Sequence, residues 1–350
     1  MAAVRNLSFR YRLLRDGGNY GLLEPIEGRW PTIRMDDGGE IKTSLSGSFA
    51  PPDFEVEWLK DEIQPELIID GEAYPLGIFL PATVEAIRDE TTESLRIEAY
   101  DRGWLVRDYK AETVPYFAAG TNYLSAVGSL LNTAGIGLVS QKATALALTE
   151  AREDWSPGTG YLEIANELLR EINYKDVWFD DSGMARLEPF EDLSAANIKH
   201  TLDEKDVKSL LLPTISRSTD VYSAPNVFIC ICSNPDKESG MTATAVNTSA
   251  QSPLSVGRRG RRIVQVTQVR NVASQEELQA LADRQLTDSL IGGEIIRVET
   301  GLLPGFGVGD VTALRYGDVF AVCREREWTM ELSPGGTMTH VLERQVLQIG

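Results

Sequence analysis

Two histidines, three cysteines and 52 carboxylates are the raw material for chemistry in this chain of 350 residues. Neither His200 nor His340 sits in a zinc-ligand pattern or the local context of a Ser-His-Asp triad, and both read as structural or exposed. Cys230 and Cys232 are two apart in Phe-Ile-Cys-Ile-Cys and share one face of a strand, which Cys323 approaches only if the strands pair. All three read as small buried apolar residues rather than as metal or redox ligands. The carboxylate pairs Glu163/Glu167 and Asp180/Asp181 have the look of a glycosidase dyad, but so acidic a chain produces such pairs by chance. Glu163 and Glu167 lie one turn apart on the polar face of a helix, where solvation explains them. Asp180-Asp181-Ser182-Gly183 reads as a turn, because the remaining positions of a calcium loop are missing.

Glycines 305, 307 and 309 in PGFGVGD resemble a phosphate loop only superficially, since the Gly-Lys-Ser/Thr ending and the strand-to-helix context are absent. Turn formation is the expected role. No catalytic, cofactor-binding or metal-binding residue is therefore assigned. Arg258, Arg259, Arg261 and Arg262 form the one basic cluster, either a solvated loop or an inter-subunit contact that latches onto an acidic neighbour such as another copy of the chain.

The balance of 34 basic against 52 acidic residues gives a formal charge of -18. Such a surface repels phosphate backbones, so the chain is a poor candidate for gripping nucleic acid. No apolar run is long enough for a membrane helix, and four arginines between residues 5 and 15 stand where a signal peptide needs an apolar core. The expected compartment is a cytoplasm, and three unevenly placed cysteines fit its reducing conditions.

The elements that must hold these residues fall into three regions. Residues 1–105 read as strands punctuated by Asp16-Gly17-Gly18, Asp37-Gly38-Gly39, Pro51-Pro52 and Asp70-Gly71, the last a tight hairpin. Between 106 and 200 the apolar period lengthens to that of helices. Leu124, Val127, Leu131 and Ala134 form one stripe, ended by Gly135; Leu162, Ala165, Leu168, Leu169 and Ile172 form another, followed by a short hairpin at Asp181-Ser182-Gly183. From 201 to 350 strands return, with an exposed loop or loose hairpin near 233–262 and a helix from Ser274, capped by Ser274 and Glu277, to Gly292-Gly293. Residues 310–347 read as two long strands folded back at Pro334-Gly335-Gly336, with Val319, Ala321, Cys323, Met338, His340 and Leu342 on one face. The expected fold class is α+β, mostly β: a first tube-like β-barrel (1–105), a small α+β insert with two helices (106–200), and a second tube-like β-barrel (201–350).

In that order of parts, the chain resembles the baseplate hub of contractile phage tails and related injection systems, and is similar to the hub half of the type VI secretion spike. Three segments carry the resemblance: IEAYDRGWLVRDYK at 97–110, the helix and hairpin at 161–189, and the strands after Gly309-Asp310. The resemblance implies a homotrimer, two barrels per subunit building a pseudo-six-fold ring that joins the tail tube to a central spike in the virion tail. It implies the tail tube protein, a separate spike protein and the tape-measure protein as partners, and DNA passing without specific binding through an acidic channel. No spike follows residue 350, so the spike is expected on another polypeptide, and no enzyme activity or membrane anchor is expected. Two other readings remain open: a tail-associated cell-wall hydrolase using a carboxylate pair, and a carbohydrate- or receptor-binding β module. The latter needs exposed aromatics, whereas Trp30, Trp58, Trp104, Trp155, Trp178 and Trp328 are scattered singly.

Overall fold

The computed structural model describes residues 5–88, 93–218, 224–232, 240–250, 252–269, 272, 274–291 and 294–344. The first region supplies β1 (Leu7–Arg15), β2 (Gly18–Leu23), β3 (Thr32–Asp36), β4 (Thr43–Phe49), β5 (Glu62–Ile69), β6 (Glu72–Pro75), β7 (Phe79–Arg88) and β8 (Glu93–Asp101). Its two tightest hairpins turn where an Asp-Gly pair takes positive φ at both residues, 51° and 76° at Asp16-Gly17 and 51° and 91° at Asp70-Gly71. That backbone twist matches the twist of the flanking strands.

The middle region holds α1 (Gly103–Asp108), α2 (Tyr123–Thr133), β9 (Val139–Gln141), α3 (Tyr161–Glu171), β10 (Trp178–Phe179) and β11 (Ala185–Leu187). Asn122 starts α2 by accepting from the Leu124 and Ser125 amides, and the chain leaves through Gly135 at φ 88°. One helix is added to the two expected: α1 begins at Gly103, where the buried Asp101 carboxylate accepts the Gly103 and Thr43 amides. The β10–β11 hairpin turns at Gly183 as read from the sequence, but β9 joins it in parallel, a long-range pairing without a local signal.

The third region contributes β12 (Ile198–Asp203), β13 (Leu211–Ser218), β14 (Val227–Cys232), β15 (Met241–Val246), α4 (Val256–Arg259), β16 (Val264–Val269), α5 (Gln275–Ile291), β17 (Glu294–Gly301), β18 (Val311–Tyr316), β19 (Val319–Glu331) and β20 (Thr337–Arg344). The stretch expected near 233–262 as an exposed loop or loose hairpin is, in its described residues, a hairpin arm and a helical turn rather than an open loop. It carries β15, the outer arm of a hairpin with β14, and the turn of helix α4, and it buries Asn247, Ser252 and Leu254. Residues 233–239 lie outside the described residues.

Hydrogen bonding joins the two β regions into one 14-stranded sheet along β13-β17-β20-β19-β3-β4-β8-β7-β5-β1-β2, with β6, β12 and β18 attached beside that path. The junction is β19 against β3, where Trp328 faces Met35 and Met330 faces Ile33. One apolar core runs from Tyr11 to Leu342 across both regions. A second core lies within residues 106–187 around α2 and α3. A third packs α5, through Leu278 and Ala282, on the small sheet β15-β14-β16. The fold is α+β, mostly β.

The stretch read as two long strands is a meander of three, because a first hairpin at Gly317, φ 57°, separates β18 from β19. A bulge between Glu325 and Glu327 explains why alternation holds only in part. Up to Glu325 the odd-numbered residues Ala321 and Cys323 point inward, and beyond it the even-numbered Trp328 and Met330 do. One extra residue re-phases the pleat. Arg324, expected in water, is buried beside the bulge.

Candidate functional site

Arg258, Arg259, Arg261 and Arg262 stand together at the end of α4 and the turn after it. Ser255 caps α4 by accepting the Arg258 amide, and Gly260 closes it at φ 65°. The fully buried Asn226 fixes the loop: its side-chain amide donates to the Leu254 and Arg261 carbonyls and its oxygen accepts the Ile263 amide. Arg258, Arg261 and Arg262 are exposed, while half-buried Arg259 donates to the Ala224 carbonyl. The loop runs directly into β16, an edge strand with no hydrogen-bonded neighbour on its outer side among the described residues. Val264 and Val266 are exposed on it to 49% and 54%. The edge that β16 presents beside the four arginines is uncharged and rich in β-branched residues.

The larger surprise is the seam where the middle region meets the sheet. Residues 302–310 cross it, and Phe306 is driven between the only two histidines of the chain. Its ring stacks on His200, centroids 3.9 Å apart and planes 19° apart, and leans on His340 at 4.8 Å. Trp328 Nε1 donates to the Phe306 carbonyl, and Lys175 Nζ to the Val308 carbonyl. Glycine is needed at 307, where a Cβ would stand 2.9 Å from the Trp178 ring and 3.2 Å from an Asp310 oxygen. Gly307→Ala is expected to cost about 1–3 kcal/mol, read as a lower urea midpoint. An unchanged midpoint would remove the tight approach from the account of the seam.

Asp310 is the hub of the polar network. Its carboxylate accepts from Lys199 Nζ at 2.9 Å, from His200 Nε2 at 3.0 Å and from the Gly307 amide at 2.8 Å. Those donors hold it far below the usual carboxylate range although burial pushes the other way. Asp181, in the β10–β11 turn, goes the opposite way: burial first, then the charges of Asp180 and Asp310, raise it to about 7. A cleft of ≈ 590 Å³ opens beside them, lined by Tyr74, Asp181, Arg186, Lys199 and Asp310 among others.

Hydrogen-bond bookkeeping orders the second histidine. Thr300 gives its hydroxyl proton to the Gly301 carbonyl, so its oxygen accepts from His340 Nε2 at 3.1 Å. Nδ1 then faces Glu325 Oε2 at 3.1 Å with one proton between them. Burial pushes Glu325 up while His340 beside it pulls the other way, and the other carboxyl oxygen is buried without a hydrogen-bond partner among the described residues.

The remaining candidates stay apart. Glu163 is exposed, and Glu167 accepts the Trp155 indole N–H at 2.8 Å, so that pair is a solvated and structural one. Asp180 is spent on its own turn, accepting from Ser182, Met184 and Arg186. Cys230 and Cys232 belong to the small-sheet core and Cys323 to the large one, all buried. Among the described residues no group of three or more His, Cys, Asp or Glu is placed to hold a metal ion, and no helix is long and apolar enough to cross a membrane. Of the tryptophans, 155, 178 and 328 are buried and 30, 58 and 104 half-buried. Sequence reasoning missed the seam, and the signal that could have found it was a Gly-spaced loop carrying one large aromatic.

No protein-family model matches the sequence, and no curated protein matches it. Solved structures do. A tail protein from Neisseria meningitidis MC58 superposes with a TM-score of 0.69 at 14% identity over 97% of both chains. The prophage MuSo2 43 kDa tail protein from Shewanella oneidensis gives 0.69 at 11% identity over 97% of this chain and 99% of that one. An E. coli type VI secretion component, itself structurally similar to bacteriophage T4 tail proteins gp27 and gp5, gives 0.50 at 9% identity over 95% and 76%. The chain thus has its fold in common with tail proteins, one of them from a prophage.

Proposed function

We propose that the chain is a structural subunit of a phage-type tail, a baseplate hub that assembles as a homotrimeric ring between tail tube and spike. The observation that carries this reading is the match in fold to two tail proteins over nearly the whole of all chains concerned. A mostly β wall held by one core across both β regions suits a load-bearing part. The proposed partners are further copies of itself, the tail tube protein, a separate spike protein and the tape-measure protein. Its place is the virion tail, after assembly in the host cytoplasm. The charge of -18 per chain would give the channel a wall that repels DNA and lets it slide without specific binding. Arg258, Arg259, Arg261 and Arg262 with the edge of β16 form the proposed contact between copies, where four cations meet an acidic neighbour. In this reading the chain catalyses nothing.

Native mass spectrometry of the full chain, alone and mixed with tube and spike proteins, tests this. The expected species has three times the 38.6 kDa of one chain and a ring outline in negative stain. Arg258→Glu with Arg262→Glu is expected to weaken trimer formation about tenfold or more. A chain that remains single in every mixture would overturn the hub reading. Clearing of a peptidoglycan gel, lost on a single Asp or Glu substitution, would replace it with the hydrolase.

A further inference from the structure

A cleft of ≈ 440 Å³ opens where α3 faces α5 and the far end of β16. Its described lining residues include four carboxylates, Glu163, Glu167, Glu171 and Glu277, against two guanidinium groups, Arg170 and Arg284. Part of that charge is already met. Glu171 takes both its hydrogen bonds from the buried Arg152 at 2.8 Å and a third from the Tyr123 hydroxyl at 2.9 Å, and Glu167 takes the Trp155 indole. Arg170 is forked on Asp176, and Arg284 donates to the Asn173 side chain. Glu163, exposed, and Glu277, half-buried, are left over: among the described residues no hydrogen bond or ion pair holds either carboxylate. Val269, Val272 and Leu281 give the same cleft an apolar wall.

Arg258 and Arg262 are the complement of that surface within the same sequence. Both are exposed, and neither side chain has an ion pair with a described carboxylate. Arginine stems cover apolar surface while their planar heads match carboxylates in pairs, which suits a cleft with an apolar wall and two unmet carboxylates. Ser255, Gly260 and the buried Asn226 fix the loop that carries them, so little conformational entropy is lost when it docks. Loop and cleft lie at opposite ends of β16. From Arg262 to Gln268 in the cleft the strand covers about 20 Å, farther than an arginine side chain reaches, so the two surfaces of one copy do not satisfy each other.

We propose that the arginine loop of one copy docks in the α3–α5 cleft of the next, with Arg258 and Arg262 pairing to Glu163 and Glu277. Two different surfaces meet in such a contact, so it repeats head to tail and builds a closed ring. The number of copies, three, rests on the hub reading; what is added is the surface of the neighbour that receives the loop.

Native mass spectrometry of the full chain mixed with tube and spike proteins reads the contact. Glu163→Lys with Glu277→Lys is expected to lower the trimer population about tenfold or more, as Arg258→Glu with Arg262→Glu does. The quadruple variant restores both pairs with the signs exchanged and should regain the trimer to within about threefold of the parent chain. A mixture of the two double variants should not regain it, because only unlike copies fit and unlike copies cannot alternate around a ring of three. Melting curves separate a lost contact from a lost fold. Should the lysine variant melt early, Glu163→Gln with Glu277→Gln takes its place, with about threefold less trimer expected. Full trimer formation by the Glu163 and Glu277 variants, or a quadruple variant no better than its arginine half, would overturn the docking and leave the hub reading standing. A chain that stays single in every mixture would remove both.

Discussion

Asp310→Ala is expected to destabilise the protein by about 3 kcal/mol, the cost of removing one member of a buried, hydrogen-bonded charge group. The carboxylate is almost wholly buried and serves three donors at once, one of them the Lys199 ammonium. Lys199 is 37% exposed and recovers part of its solvation when the partner goes, which keeps the figure at the low end. Loss of the carboxylate also frees the 302–310 crossing, because the Gly307 amide loses its acceptor while Phe306 stays wedged between the imidazoles. Asp310→Asn keeps an oxygen for one donor but no charge for Lys199, and about half the loss is expected. The comparison is made by urea unfolding at pH 7, with the middle and sheet regions followed by separate probes. A parent-like midpoint for Asp310→Ala would mean that the seam is not held by this residue.

The same substitution changes the acid limb of the stability curve. Asp310 is depressed in the folded protein, so its contribution is complete above the unfolded carboxyl pKa of about 3.9 and disappears as pH falls below it. The parent chain should therefore lose stability more steeply than Asp310→Ala between about pH 5 and pH 2.

How much of this was open to a reader of the sequence depends on the range over which each feature is encoded. Asp16-Gly17 and Asp70-Gly71 are local instructions, and so are the Asn122 cap and the stripe of α3; all of them are read from neighbours within one turn. The pairing of β9 with β11 and of β12 with β18 is different. Both are parallel, and parallel partners lie far apart in the chain with no turn to announce them. The bulge at Glu325 defeats period-two reading, and it is what turns Glu325 toward His340 and leaves Arg324 buried. Each histidine also looks isolated in sequence because its carboxylate lies 110 positions away for His200 and 15 for His340. Arg258, Arg259, Arg261 and Arg262 were legible because charge clusters survive any folding, although that the loop leads into a strand with no outer hydrogen-bonded neighbour among the described residues was not.

Asp181→Asn is expected to act in the opposite direction from Asp310→Ala and to stabilise the protein, but only on the alkaline side. The folded carboxyl keeps its proton to about pH 7, whereas the unfolded one gives it up near 3.9. Folding therefore binds a proton between those values, so stability falls as pH rises from about 4 to 7 and stays lower above. An amide has no proton to lose. Asp181→Asn should match the parent chain below about pH 4 and exceed it by about 2 kcal/mol at pH 8, a figure reduced because the group is only half-buried. Asp310 and Asp181 repel each other across the seam, so the two substitutions should not add: with Asp310→Ala in place, the Asp181 carboxyl ionises more readily and its replacement gains less. Urea midpoints of the parent, both single variants and the double variant at pH 4 and pH 8 measure that coupling. Parallel curves at both pH values would separate the two carboxylates and leave the seam a set of independent contacts rather than one electrostatic unit.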